Sequence, residues 1–336
     1  MADDTSEGSE HIDLTDLVGK VEQHLLAGER KYTRLEVAEA SGLAPEEMRG
    51  LWRALGFATV SDEDKVFTDA DVTAVRNVAR LASVAEIDDD VMRSMTRIIG
   101  QTFSRLASWQ GQLVVEIITK SPELLADDGE RVLDLVDHMT PVVAELHNYV
   151  WRRQMAAYFA RVATNSAVRP GTERSMAVGF ADMAGFTTLT RESSESDLRA
   201  VLGAFETVTG EVISSNRGQI VKTIGDEVLF VADDPRDAAE IALSLVEAAQ
   251  DDDALPQLRA GVAFGPVVSR LGDVFGQTVN IASRLTSAAR TGSVLVDEGL
   301  SEGVQGDERL ALRPLRPMSV RGYHYLRSWR LRRAEP

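Results

Sequence analysis

The feature that most limits how this chain can fold is a change of texture at Arg169-Pro170-Gly171. From Leu14 to about Thr164, apolar residues recur every three or four positions, the period of amphipathic helices. Met92, Met95, Ile99, Phe103, Leu106, Leu113 and Ile117 keep that spacing over several turns. Val142, Leu146, Tyr149, Val150, Met155, Tyr158, Phe159 and Val162 do so again after Pro141. Pro45 suits the first turn of a helix, and Gly42 and Gly56 punctuate shorter ones. Beyond the Pro-Gly linker, short apolar runs alternate with helical stretches. Strands are expected at Ser175–Ala181, twice within Gln219–Ala232, at Leu258–Val268 with a kink at Gly265-Pro266, at Ser293–Asp297, and around Leu310–Arg313 and Tyr323–Leu331. Helices are expected at Asp197–Asn216, Pro235–Ala249 and Val279–Ala289. The order is β-α-β-β-α-β with an appended helix and strands, an α+β, ferredoxin-like domain preceded by an all-α domain. The expected boundaries are a disordered stretch 1–12, a helical domain 13–165, a linker 166–174 and a second domain 175–333.

Composition narrows the function. The 336 residues carry a net charge of −17, with 29 Asp and Glu against 18 Lys and Arg in residues 1–170, and 24 against 18 in 171–336. Phosphate-backbone binding draws on clustered cations, so a chain acidic in both halves is a poor nucleic-acid binder. It can still hold a polyphosphate if divalent metals supply local positive charge. Cysteine is absent, which excludes disulfides and thiolate metal sites and fits a reducing cytoplasm. No apolar run approaches the roughly 20 residues that span a bilayer, and the acidic start of the chain is unlike a signal peptide.

Three segments carry candidate chemistry. Asp182 ends an expected strand and is followed by Met183-Ala184-Gly185-Phe186-Thr187, a turn whose N–H groups can face a phosphate. Asp226 lies at the tip of the hairpin signalled by Gly225-Asp226. Taken singly, Asp182 is an N-cap and Asp226 a turn residue; brought together, two hard carboxylates suit two Mg²⁺ or Mn²⁺ ions, roughly 3.5–4 Å apart in such sites. Lys222, four residues before Asp226 on the expected strand, and Asp273 offer one donor and one acceptor. Adenine presents the complement, with N1 accepting and N6 donating, so a pair that reads the base selects ATP. Asn280 and Arg284 stand at i, i+4 on one helix face, where Arg can fork onto a phosphoryl group and Asn can orient a ribose. Arg270, just before Asp273, is a candidate phosphate ligand.

These motifs resemble the class III adenylyl cyclases over about residues 175–331. Phe180–Thr187 looks like that family's first metal motif, Val221–Asp226 like its purine-selecting Lys with the second metal Asp, and Asp273–Arg284 like its second purine-selecting acid with the transition-state Asn and Arg. The resemblance implies conversion of ATP to cyclic AMP and pyrophosphate in a head-to-tail homodimer. One copy supplies Asp182 and Asp226, the other Lys222, Asp273, Asn280 and Arg284. Many members carry a phosphate-binding Lys near the C-terminal strands; here that region reads Met318-Ser319-Val320-Arg321-Gly322, with Arg321 as a possible substitute. Residues 31–57 are similar to the regulatory domain of mycobacterial pH-sensing, autoinhibited adenylyl cyclases. That similarity implies a switch element within residues 142–168, near His138 and His147, and a fatty acid as a possible ligand of the helical domain.

Two rival readings start from other features. Residues 33–54 have the outline of a helix-turn-helix, the mark of a DNA-binding regulator, but Glu46, Glu47, Arg49 and Arg53 leave its second helix without net charge. Gly225-Asp226-Glu227 at a hairpin resembles a diguanylate cyclase motif, with Ile224 where that motif has its first Gly.

Overall fold

A computed structural model describes residues 14–26, 28–125, 129–164, 174–252, 254–320 and 322–334. The expected disordered stretch 1–12, the linker residues 166–173 and Arg321 lie outside them. The chain divides into two compact units, 1–164 and 165–336.

The described part of the first unit is helical except for one isolated bridge between Tyr32 and Phe67. Its helices are α1 (Leu14–Leu25), α2 (Arg34–Ser41), α3 (Pro45–Ala54), α4 (Asp69–Val84), α5 (Asp89–Lys120) and α6 (Glu130–Thr164). Local chemistry sets their ends. Thr33 and Glu36 form a capping box on α2, and Thr68 and Asp71 form one on α4. A small core of Val37, Ala38, Met48, Phe67 and Val72 closes α2, α3 and α4 around the bridge. The helix-turn-helix outline therefore forms, with Arg34 turned inward, Arg49 paired and Arg53 alone left exposed without a partner among the described residues. Arg34 donates from Nε to Asp62 at 2.8 Å and from Nη1 to the Pro45 carbonyl at 2.7 Å, and Arg49 pairs with Glu46 at 3.1 Å. That arrangement leaves little for a DNA backbone.

The long helices have two further features. Pro141 lies inside α6, which runs through it. A proline removes one backbone hydrogen bond, a loss that 35 residues of flanking helix can absorb. Of the 92–117 stripe of α5 only Met92 is buried, with Thr96 and Gly100 buried beside it. Phe103, Leu113 and Ile117 remain exposed in the single chain.

In the second unit the strands are β1 (Arg174–Met183), β2 (Gln219–Ile224), β3 (Glu227–Ala232), β4 (Leu258–Arg270), β5 (Asp273–Phe275), β6 (Val294–Val296), β7 (Leu310–Pro314), β8 (Met318–Val320), β9 (Tyr323–Leu326) and β10 (Trp329–Arg333). The helices are α7 (Phe186–Glu192), α8 (Glu195–Ser215), α9 (Pro235–Asp251), α10 (Gln277–Ala288) and α11 (Glu298–Gly303). The main sheet runs β2-β3-β1-β4-β6-β10-β7, with β5 paired to β4, and β8 and β9 form a separate ribbon. Its first four strands have the βαββαβ order. All the pairings are antiparallel except β4 with β6. β4 pairs with β1 without a register shift through Gly265 and Pro266, so the expected kink does not interrupt the ladder.

β1 is apolar on both faces because both are covered. Ala177 and Ala181 face the main core with Phe205, Phe230, Ile241 and Leu245, while Met176, Val178 and Phe180 face a second core with Ala263, Val267 and Ala282. Gly261 lets α10 approach β4. A Cβ there would stand 2.2 Å from the Thr286 nitrogen, which only a glycine avoids. That close approach fixes the helix bearing Asn280 and Arg284 against the sheet.

Candidate active site

Asp182 and Asp226 reach one place from different elements. Asp182 is the penultimate residue of β1, and its side chain is 13% exposed. Asp226 occupies the two-residue loop between β2 and β3, where Ile224 pairs with Glu227. Gly225 takes φ 62°, the positive value that the first position of a II′ hairpin loop requires. The Met183 N–H donates to the Asp226 carbonyl at 3.1 Å and ties the loop to the end of β1.

The electrostatics show that the two carboxylates are close. Burial raises the Asp226 carboxyl above its ordinary value, and the charge of Asp182 and a hydrogen bond with it add to the rise, while Arg259 opposes it. Glu227 lies directly across from Asp182 and is pushed up to about 7, by burial first and then by Asp182 and Asp226. Arg259, the cross-strand partner of Asp182 on β4, donates from Nε to Asp182 Oδ2 at 2.8 Å. Two like-charged oxygen donors held together with one organic cation beside them fit a site for hard divalent ions. Among the described residues no three His, Cys, Asp or Glu form a metal cage. A Mg²⁺-type ion does not need one, since it keeps waters and takes substrate phosphates as ligands.

Gly185 caps α7 with φ 80°, and Phe186 and Thr187 open that helix, so their N–H groups lie where a helix leaves donors without intrahelical acceptors. Phe186 also packs against the main core.

Lys222 and Asp273 meet although 51 residues separate them, with Nζ donating to Oδ2 at 2.5 Å. A register shift between Ile220 and Lys222 lies within β2, so simple two-residue alternation along that strand does not hold there. Burial works against the Asp273 charge, but the Lys222 hydrogen bond and the Val274 N–H hold its carboxyl below the ordinary value. Arg270 pairs with Asp273 across the β4–β5 turn. Asn280 is exposed and Arg284 half-buried, one turn apart on α10. Among the described residues, neither side chain hydrogen-bonds to another group of the protein, so both are available to a ligand.

The predicted residues thus gather as a carboxylate pair, a Lys–Asp pair, and an Asn–Arg pair on one helix. Burial is the first cause of the rise at both Asp226 and Glu227; Asp182 adds to both and Asp226 to Glu227, while Arg259 opposes both. Local sequence reasoning missed Arg259 and Glu227. Arg259 meets Asp182 across 77 residues, and only the β1–β4 register reveals the contact. Glu227 had a local signal, since it directly follows Asp226.

A family model described as the adenylate and guanylate cyclase catalytic domain matches residues 168–333. The chain is 39% identical to an adenylate cyclase of Streptomyces coelicolor, over 94% of this chain and 90% of that one. It is 41% identical to an adenylate cyclase of Streptomyces griseus, over 83% and 69%. It is 31% identical to a pH-sensitive adenylate cyclase of Mycobacterium tuberculosis, over 84% and 72%.

Proposed function

The chain belongs to the adenylate and guanylate cyclase family, and we propose that it converts ATP to 3′,5′-cyclic AMP and pyrophosphate at sites shared between two copies. The observation that carries the choice of ATP is the Lys222–Asp273 pair at 2.5 Å. It presents a donor and an acceptor side by side, the complement of adenine N1 and N6.

In this reading Asp182 and Asp226 hold the divalent ions, Mg²⁺ or Mn²⁺, two per site, whose chemistry is to acidify the ribose 3′-OH and neutralise the leaving pyrophosphate. Arg284 stabilises charge on the α-phosphate, where a positioned cation contributes most because the charge grows there in the transition state. Asn280 orients the ribose. The first N–H groups of α7, at Phe186 and Thr187 beyond Gly185, face the phosphates, with Arg270 as a further phosphate ligand. Arg259 balances Asp182 while the protein is free of substrate. Arg321, the other phosphate candidate, lies outside the described residues.

A homodimer follows from the division of the groups. Head-to-tail pairing would bring the carboxylate pair of one copy to the Arg284 helix of the other. Apolar side chains on the β4–β5 hairpin that bears Asp273 support such a contact, since Val268, Leu271 and Phe275 are each about half exposed. The helical unit is proposed to restrain the catalytic unit in response to pH. Its long helices α5 and α6 carry exposed apolar side chains, among them Phe103, Leu113, Tyr149 and Phe159. His147 is built into the pairing of these helices, 3.0 Å from Gln110 Nε2 and edge-on to Phe103.

Mixing chains tests the shared site. Asp182→Ala and Arg284→Ala homodimers should each be inactive in metal-dependent cyclic AMP formation. Equal mixtures should recover about a quarter of wild-type activity, because half the dimers then hold one intact site of two. Dimeric but inactive mixtures would count against the assignment.

A further inference from the structure

The edge of the main sheet away from the carboxylate pair carries an arginine cluster that the catalytic reading does not use. Arg313 on β7 and Arg330 on β10 are directly opposed in an antiparallel pair, so their side chains share a face. The other face of the same strands packs Leu312, Trp329 and Leu331 into the main core. Arg290, after α10, and Arg316, after β7, complete the walls of a cleft of about 430 Å³. Ser293 holds the Arg290 loop in place, with its Oγ donating to the Arg290 carbonyl at 2.6 Å.

Nothing in the described residues compensates these charges. No carboxylate lines the cleft, and none of the four arginines has an ion pair or a side-chain hydrogen bond among the described residues. Arg330 Nε is buried without a partner. Burial lowers the Arg330 pKa first, and the charges of Arg332, Arg290 and Arg313 lower it further. Several other arginines of this unit take acidic partners, as Arg333 does with Glu240 and Glu247 and Arg309 with Asp307. In a chain with 53 Asp and Glu against 36 Lys and Arg, acidic partners are not scarce. Like charges set directly opposite on a sheet destabilise it unless something binds between them. The C-terminal end of α10 contributes roughly half a negative charge at the rim, which four full positive charges outweigh.

We propose that this cleft is an anion site for a small phosphate-bearing ligand, held by forked contacts from Arg290, Arg313, Arg316 and Arg330. A planar guanidinium matches phosphate oxygens two at a time, which suits it better than a lysine cluster to a compact phosphate group. Inorganic phosphate, pyrophosphate and a nucleotide's phosphates share this chemistry. The inference does not depend on the catalytic assignment.

Calorimetric titration of the full chain in EDTA, with inorganic phosphate and with pyrophosphate, tests it, with sodium chloride of matched ionic strength as the control. One site per chain is expected, with a submillimolar Kd, roughly 0.1–1 mM, for the better ligand, whose identity says whether one phosphate or two are held. Arg290→Gln with Arg313→Gln should weaken binding at least tenfold. Thermal unfolding separates binding from structure. Arg313→Gln should melt no lower than wild type in anion-free buffer, because a like charge is removed, and should lose the rise in Tm that the anion gives wild type. Absence of millimolar binding, or binding that the double variant leaves unchanged, would overturn the proposal. So would an Arg313→Gln chain that melts lower and still binds.

Discussion

Glu227 shows how much one side chain can report about its surroundings. Burial beside Asp182 and Asp226 raises its carboxyl from 4.5 to about 7. Between those values the unfolded chain has released a proton that the folded chain keeps. Stability therefore falls as pH rises through this window, and the full penalty applies above it. The shift corresponds to roughly 3 kcal/mol as an upper bound, which solvent screening reduces. Glu227→Gln should therefore stabilise the metal-free protein by about 1–2 kcal/mol near pH 8 and leave it unchanged near pH 4.5, read by urea unfolding at the two pH values. An equal effect at both would show that the carboxyl is not the source. The sequence already named two of the side chains that raise Glu227, because Asp182 and Asp226 stand at a strand end and a hairpin turn with local signatures. It hid Arg259, whose place follows from the β1–β4 register.

Among the elements, the β4–β5 hairpin combines cost and use. Its two-residue turn, Leu271-Gly272, takes φ 60° and 79°, the double positive φ of a type I′ turn. A leucine in that region costs roughly 1–2 kcal/mol, and here it is 51% exposed, so burial within the chain does not offset the cost. Leu271→Asn should stabilise the protein by about 1 kcal/mol, since Asn tolerates this conformation, and should weaken dimerisation by removing an apolar contact. Thermal unfolding and sedimentation read the two effects. A variant that is stabilised and dimerises as before would remove Leu271 from the proposed interface. Legibility at this scale was uneven. The Gly225-Asp226 hairpin announced itself because turn chemistry is local. The start of α6 at Glu130, upstream of Pro141, had no comparable local signal, because one missing hydrogen bond does not outweigh the rest of a long helix.

At the scale of the whole molecule the division into two units was legible, since helical periodicity gives way to strand alternation at the linker. The order of the sheet was not, because strand insertion depends on contacts far apart in sequence. The proposed restraint gives a measurable asymmetry. Residues 170–336 alone should turn over ATP faster than the full chain at alkaline pH. The full chain should approach that rate as the pH is lowered from about 8 to 5.5, the range in which an imidazole switch would act. Parallel pH profiles for the two proteins would argue against control by the helical unit. A last consequence follows from β10, which is inserted between β6 and β7. Until Trp329–Arg333 has left the ribosome, β6 and β7 have no partner between them, and each exposes an open edge to neighbouring nascent chains. The helical unit, made first, is free to fold during synthesis, while the catalytic sheet must wait for its last strand. A stalled or shortened chain would then carry a folded helical unit beside an incomplete sheet prone to aggregation.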